Sequence, residues 1–409
     1  MKTRLATDRL RQALTEAGRY GPQPEVWVRF PRQLGDVVFT LPFLGGLQES
    51  WNAVAAETGL SLRWVAVGHR MGASIFSEAK PGFFADSVLE QGGSGKPDPW
   101  YLLRRWRKQP PVAVINLSQS ARLALAAWMV GVPLRAGIAD NHLTLLYHYS
   151  FKYRDLPIHL SERYRPLLEQ LTGTKALKYL RIGPHNLGGD RAKQVLEDHG
   201  WKGEPFVTLN FGTQGYGKRW SPERQTWPSL ARLLLSKGIK VVWNGGPAEV
   251  PLGAELAALA PGSWDLSGKT NIPEGIALQS LAMGNVAVDT GLAHSAAATG
   301  RPTVVLMGPT AETLYLPVGP KVIALRGCPV DVFPGQSDGW TRLGAASTVF
   351  LPSGFSQPCK RWELSEDPQD GRNARIGSLI QSPSIRVYGG IPGQAYPCIL
   401  AARHRCGPA

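Results

Sequence analysis

The sequence predicts a doubly wound α/β protein made of two units, and three observations predict it. Strand-like and helix-like segments alternate from about residue 26 to about residue 325. A connection containing Gly, Lys and Pro at 172–187 interrupts that alternation. Three strand-to-helix junctions carry residues suited to charged ligands, and in open α/β sheets ligands bind at the carboxyl ends of the strands.

Residues 1–20 read as one amphipathic helix of mixed charge ahead of the first strand. Val26–Phe30 is a strand and Pro31–Asp36 a loop. Residues 36–50 form a helix with Pro42 near its first turn. Strands at 62–68 and 112–116 and a helix at 119–130 continue the pattern, and a helix over His159–Leu171 closes the first unit. Gly189–His199 opens the second. Phe206–Asn210 is a strand, Phe211–Gly217 a Gly-rich loop, and Lys218–Pro222 leads into a helix from about Glu223 to Ser236. Ile239–Trp243 is the next strand, closed by Asn244-Gly245-Gly246-Pro247. Val286–Val288 is a strand, Asp289-Thr290-Gly291 a sharp turn, and a small-residue helix runs to about Thr299. Gly300 stops that helix before a strand at 303–306. No internal sequence repeat is visible.

The turn at 289–291 places free backbone N–H groups and the positive end of a helix dipole at the carboxyl end of a strand, which suits a phosphate. Asp289 either orients a bound ligand or caps the helix. The loop before Lys218-Arg219 can bring a point charge and a guanidinium fork to a diphosphate. Asp36 stands at the top of the first strand, where it serves as a base or as a helix cap; a capped carboxylate is acidic and a poor base. There is no GxxxxGK[ST] loop.

Taken as a set, these pieces resemble glycosyltransferase family 9, the ADP-heptose:lipopolysaccharide heptosyltransferases. The matching text is Arg32-x-x-Gly35-Asp36-Val-Val-x-Thr40-Leu-Pro42, Lys218-Arg219-Trp220-Ser-Pro222-Glu223, Gly245-Gly246-Pro247-x-Glu249, Asp265-Leu-Ser-Gly268-Lys269 and Asp289-Thr290-Gly291-x-x-His294-x-Ala-Ala297. It covers roughly residues 24–327 in the order and spacing of the family. The resemblance implies a GT-B fold, two Rossmann-like domains facing across a cleft. It also implies inverting, metal-independent transfer of heptose from ADP-heptose to the inner core of lipopolysaccharide.

By that resemblance Asp36 is the catalytic base and Lys218 neutralises the departing diphosphate. Thr213, Gln214, Glu249, Thr270, Asp289, Thr290, Gly291 and His294 join Lys218 in contacting the donor, with Glu249 placed to hold a ribose hydroxyl. The implied acceptor is an anionic, phosphate-bearing glycolipid, for which Arg63 and Arg122 are the candidates. The run Arg104-Arg105-Trp106-Arg107-Lys108 either joins them or is a solvated helix face. No cofactor is expected: the ADP-sugar is a substrate, and no metal is implied. Two other readings stay open, another GT-B sugar-nucleotide enzyme and a catalytically silent sugar-nucleotide binder.

The implied division is an N-terminal extension at 1–23, an acceptor-side domain at 24–180, a nucleotide-sugar domain at 181–327 and an irregular tail at 328–409. The tail is rich in Gly, Pro and Ser and has no sustained period, so it is expected to be the least ordered part. All four cysteines, Cys328, Cys359, Cys398 and Cys406, fall in it without metal-ligand spacing. The net charge of +14 predicts acidic partners. No basic-aromatic recognition motif points to nucleic acid. Met1–Pro24 carries charges and no apolar core of a signal peptide, and the apolar run at Leu123–Val132 is too short to span a bilayer. The expectation is a cytoplasmic protein resting on the inner face of the membrane.

Overall fold

The computed structural model describes residues 2–16, 23–76, 84, 86–90, 99–139, 142–153, 158–179, 181–183, 187, 189–215, 218–220 and 223–326. The expectations for the tail and its cysteines lie outside these residues.

The first sheet is wholly parallel. Its strands are β1 (Glu25–Arg29), β2 (Arg63–His69), β3 (Asp86–Glu90), β4 (Ala113–Asn116), β5 (Leu134–Ile138) and β6 (Tyr149–Phe151), in the order β3-β2-β1-β4-β5-β6. The second sheet comprises β7 (Phe206–Asn210), β8 (Lys240–Trp243), β9 (Trp264–Asp265), β10 (Gly284–Val288), β11 (Thr303–Met307) and β12 (Val322–Arg326). Its order, β12-β11-β10-β7-β8-β9, is the same arrangement repeated. Each sheet therefore has a topological switch point, between β1 and β4 and between β7 and β10, where a crevice opens at the carboxyl ends. The central strands β1, β4, β7 and β10 are buried along their whole length, as expected for parallel strands covered on both faces.

The helices in chain order are α1 (Lys2–Thr15), α2 (Leu34–Glu57), α3 (Arg70–Ala73), α4 (Pro99–Lys108), α5 (Ala121–Val130) and α6 (Arg165–Thr172). They continue as α7 (Gly189–Glu197), α8 (Glu223–Ser236), α9 (Val250–Ala258), α10 (Ile272–Leu281), α11 (Gly291–Ala298) and α12 (Glu312–Tyr315). α1 is more closely joined to the first unit than an extension suggests. It packs on α6 and α2, buries Ala6, Leu10, Ala13 and Leu14, and pairs Arg11 with Glu57 at 3.0 Å.

α2 begins two residues earlier than the pattern predicts and runs through Pro42. Proline removes one intrahelical donor, and at this point the interdomain connection docks: the Lys178 N–H donates to the Pro42 carbonyl at 2.9 Å. A Cβ on Gly45 would come within 2.5 Å of the Lys178 carbonyl oxygen, and one on Gly46 within 2.8 Å of that of Ala176. Both glycines are thus required for the connection to lie on the helix. Gly45→Ala is expected to destabilise the protein by about 1–3 kcal/mol, read as a lower thermal unfolding midpoint.

The same connection is tied to the second unit. The Tyr179 hydroxyl donates to the Ala297 carbonyl at 2.8 Å and the Arg181 guanidinium to that of Thr299 at 2.8 Å. The Ile182 N–H donates to the Ala298 carbonyl at 3.1 Å. The chain that joins the two units thus bonds the last carbonyls of α11 and that of its cap residue Thr299. The connection that interrupts the alternation is bonded to both α2 and α11.

Candidate active site

α2 starts at the carboxyl end of β1 and α11 at the carboxyl end of β10, so each helix opens at the switch point of its own sheet. The two N-termini meet across the interdomain crevice. A Cβ on Gly291 would lie 3.2 Å from Leu34 Cβ and 3.4 Å from the Gly35 nitrogen, and one on Gly35 would lie 3.0 Å from the His294 ring. Small residues are needed at both ends for this approach. Two sets of unpaired backbone N–H groups and two positive dipole ends thereby face one space.

Asp36 occupies the third position of α2. The cap residue is Gln33, and no side chain caps the helix, so Asp36 is not used as a cap. Its surface is open to the crevice, yet desolvation raises its pKa above the usual carboxylate value. One side of the carboxylate is open and protein packs around the others, which puts it on the wall of a concavity. The raised pKa matters because a helix N-terminus alone would lower it. Tyr153 and Tyr164 stand close enough for Asp36 to perturb their hydroxyls, with ring centroids 5.1 Å apart.

Lys218 and Asp289 form an ion pair, Nζ to Oδ2 2.8 Å, with Asp289 2% exposed and Lys218 35% exposed. The Thr310 hydroxyl donates to the same oxygen at 2.5 Å. Burial alone would raise the Asp289 carboxyl, but the Lys218 charge, His294 and the hydrogen bonds outweigh it and hold the pKa below the usual value. Asp289 is not the helix cap: that place belongs to Thr290, whose side chain makes no cap bond. Asp289 instead anchors the lysine that ends the Gly-rich loop.

His294 is buried one turn into α11, its Nε2 3.9 Å from Asp289 Oδ1 and its ring 4.5 Å from that of Phe39 on α2. Desolvation lowers its pKa to about 4, so it is neutral at physiological pH. His294 Nδ1 and Thr290 Oγ1 are buried without a hydrogen-bond partner among the described residues. Buried polar atoms are rarely left unpaired, and here two lie beside an unpaired helix terminus and a lysine. The set Gly291 N–H, Thr290 Oγ1, His294 and Lys218 can supply donors to a diphosphate.

The other donor-side candidates line the adjoining loops. Thr213 Oγ1 accepts the Gly215 N–H at 3.1 Å and shapes the loop whose Gly215 lies against the Lys218 stem. Gln214 is exposed. Glu249 Oε2 accepts the Gly246 N–H at 2.8 Å, and its side chain fills the space a Cβ would take on Gly212 and Gly245. Thr270 precedes the Asn271 cap of α10, and its hydroxyl borders Gly275 together with Asn244.

The two acceptor candidates separate. Arg122, in the first turn of α5, is exposed at the carboxyl end of the first sheet, the same end as Asp36. Arg63 does not join the site: it opens β2 at the amino end, in register with Glu25, and pairs with that carboxylate at 3.6 Å. A parallel strand separates its two ends by ~3.3 Å per residue, so Arg63 is at the opposite end of the sheet from Asp36. Arg105 also serves Glu25, at 2.7 Å, and the C-terminal half of α4 lies at that same end.

Several residues of the site gave no signal in the sequence. Arg29 ends β1 in register with Asn116, and burial lowers its pKa to about 10. Asn116 donates to the Tyr147 hydroxyl at 2.7 Å and accepts from Ser118, organising the loop in which Gln119 is held at φ 53°. A non-glycine residue in that region is a strained feature that tends to mark a working site. His159 contacts the Leu316 carbonyl at 2.8 Å and Phe39 edge-on at 5.4 Å, closing one wall of the crevice. A buried amide network, Asn244 to Asn210 at 2.9 Å, Gln279 to Asn210 at 2.9 Å and Ser295 to Gln279 at 2.7 Å, fixes α10 and α11 on the second sheet.

Comparison with known proteins agrees with this geometry. The family model described as glycosyltransferase family 9 (heptosyltransferase) matches residues 101–331, more than half of the chain. Lipooligosaccharide heptosyltransferase 2 of Haemophilus influenzae is 32% identical over 235 residues, covering 54% of this chain and 66% of that protein. Lipopolysaccharide heptosyltransferase 1 of Pseudomonas aeruginosa is 30% identical over 283 residues, covering 57% and 72%. Among solved structures, a family 9 glycosyltransferase from Veillonella parvula superposes with a TM-score of 0.64 at 22% identity, over 75% of this chain and 88% of that one. An Escherichia coli heptosyltransferase solved with ADP gives 0.57 at 21% identity, over 75% and 94%. These likenesses show the GT-B architecture, two Rossmann-like units with a crevice between them.

Proposed function

The chain belongs to glycosyltransferase family 9, and we propose that it transfers heptose from ADP-heptose, with inversion, to the inner core of lipopolysaccharide. The observation that carries this reading is the convergence of two helix N-termini, one bearing a free carboxylate and the other carrying the unpaired polar atoms of Thr290 and His294 beside Lys218, which Asp289 holds there. Sugar transfer needs three things: a base for the acceptor hydroxyl, room for the anomeric carbon, and stabilisation of the departing diphosphate. Asp36 takes the proton from the acceptor hydroxyl. That oxygen attacks the anomeric carbon from the face opposite the leaving group, and the diphosphate departs towards Lys218 and the N-terminus of α11. Neutral His294 donates one hydrogen bond without adding charge. Arg122 faces the anionic acceptor, and Glu249 and Thr270 border the nucleoside.

The lipid nature of that acceptor implies work at the inner face of the cytoplasmic membrane. No helix among the described residues is long and apolar enough to cross a membrane. The decisive experiment measures ADP release across a panel of nucleotide sugars, with and without a lipid A–Kdo acceptor. Release that requires both ADP-heptose and the acceptor is expected; donor binding without turnover would reduce the protein to a silent binder. Because Lys218 and the helix terminus serve the diphosphate, we further expect turnover to persist in EDTA. Loss restored by a divalent ion would contradict that expectation.

A further inference from the structure

α4 and α5 lie side by side on the face of the first sheet opposite α2. α4 buries Leu102, Leu103 and Trp106 against the strands. Its other face holds Trp100, 69% exposed, with Tyr101, Arg104, Arg107 and Lys108. α5 buries Leu123, Ala124, Ala126 and Ala127. Outward it presents Leu125, Trp128 and Met129, each about half exposed, after Arg122. The 3-10 turn His142–Leu146 adjoins α5 and adds Leu145, 89% exposed.

Six of the ten exposed large apolar side chains among the described residues fall on these three adjoining elements. A contiguous apolar patch of this kind marks an interaction site. Its charge is one-sided. Neither helix contains an Asp or Glu, and Arg104, Arg107, Lys108 and Arg122 stand among the apolar groups, while Arg105 is taken up by Glu25. Tryptophan, whose ring is apolar and whose N–H is polar, is enriched where a membrane meets water. Aromatic and aliphatic residues with cations and no carboxylates are the composition of a helix lying in an anionic lipid interface.

We propose that the outer face of α4 and α5, with the turn at 142–146, docks on an anionic lipid bilayer. Both helices begin at the carboxyl end of the first sheet, so the patch starts at the rim of the crevice that holds Asp36. A bilayer lying against it would bring the headgroup of an embedded lipid to that rim. The surface stands on its own composition, and only the use made of it rests on the proposed lipid acceptor.

The test uses the full chain in flotation with vesicles that contain no acceptor, so the outcome is independent of transfer activity. Vesicles of phosphatidylcholine with about 30% phosphatidylglycerol should carry the protein up the gradient, pure phosphatidylcholine far less, and added salt should weaken the association. Two variants probe the two components: R104E/R107E for charge and W100S/W128S for apolar insertion. Each should lower the partition coefficient by about tenfold or more and leave ADP affinity and the thermal midpoint at parental values. The proposal is overturned if the full chain ignores anionic vesicles, as it would were another segment or a second copy covering the face. It is equally overturned if folded variants of both kinds bind like the parent.

Discussion

Asp36→Asn is expected to lower the rate of transfer by ~10²–10⁴-fold, the usual contribution of a positioned general base, while ADP affinity stays near the parental value. The amide keeps the size of the carboxylate and loses the ability to accept a proton. The parent should also show an acid limb in its pH–rate profile. Desolvation raises Asp36 above the usual carboxylate value, so kcat/KM should fall with decreasing pH earlier than an ordinary aspartate would impose. Stability moves the other way. A carboxyl whose folded pKa is raised binds its proton more tightly in the folded state, so its contribution is present at low pH and lost as pH rises through the folded value. At neutral pH the Asn variant should therefore unfold at or slightly above the parental temperature. Near-normal turnover in a well-folded Asn variant would take the base role away from Asp36.

The elements that hold Asp36 and Asp289 were legible because their cause is local. Parallel strands buried on both faces read as apolar runs, and the turns that follow read as Gly, Asp and Thr ahead of a helix. β7 and α8 match the sequence reading residue for residue. The roles of charged side chains were less legible, because their partners come from distant segments. Arg63 is at the amino end of β2, away from the crevice, which the strand reading of 62–68 already implied; its partner Glu25, 38 positions away, was not legible. Arg105 meets the same carboxylate from 80 positions away. His159, Arg29 and the amide network of Asn210 and Gln279 likewise owe their environment to tertiary packing, which has no period to read. The helix through Pro42 was legible, but its ends were not: the reading stops at residue 50, whereas α2 spans Leu34–Glu57, and the connection at 174–179 that packs on its Gly45 and Gly46 comes from a distant segment.

Lys218 carries the second large expectation, which concerns both stability and binding. Its partner Asp289 is buried while Lys218 itself is a third exposed, so the two members of the pair are not equivalent. Lys218→Ala leaves a buried carboxylate without its cation, a loss of roughly 2–3 kcal/mol of stability once the exposure of Lys218 is allowed for. Asp289→Asn leaves a lysine that can turn to water and should cost much less. The pH dependence separates them further. In the parent Asp289 is held below its usual pKa, so the stability it contributes is present above the unfolded value, about 3.9, and is lost as pH falls through the folded value. Without Lys218, burial dominates and that pKa rises; the unfolding temperatures of parent and Lys218→Ala should then converge as pH falls. Function adds the deciding measurement. The charge of Lys218 is assigned to the diphosphate, where a charge-assisted bond contributes ~1.5–3 kcal/mol, so Lys218→Ala should lose ADP affinity about 10–100-fold and adenosine affinity hardly at all. In the double variant K218A/D289N the unpaired carboxylate is gone, and the unfolding temperature should recover most of its loss while ADP affinity does not. If ADP affinity recovered along with stability, the lysine would be a prop for Asp289 alone, and the diphosphate would rest on the backbone of α11 and on His294.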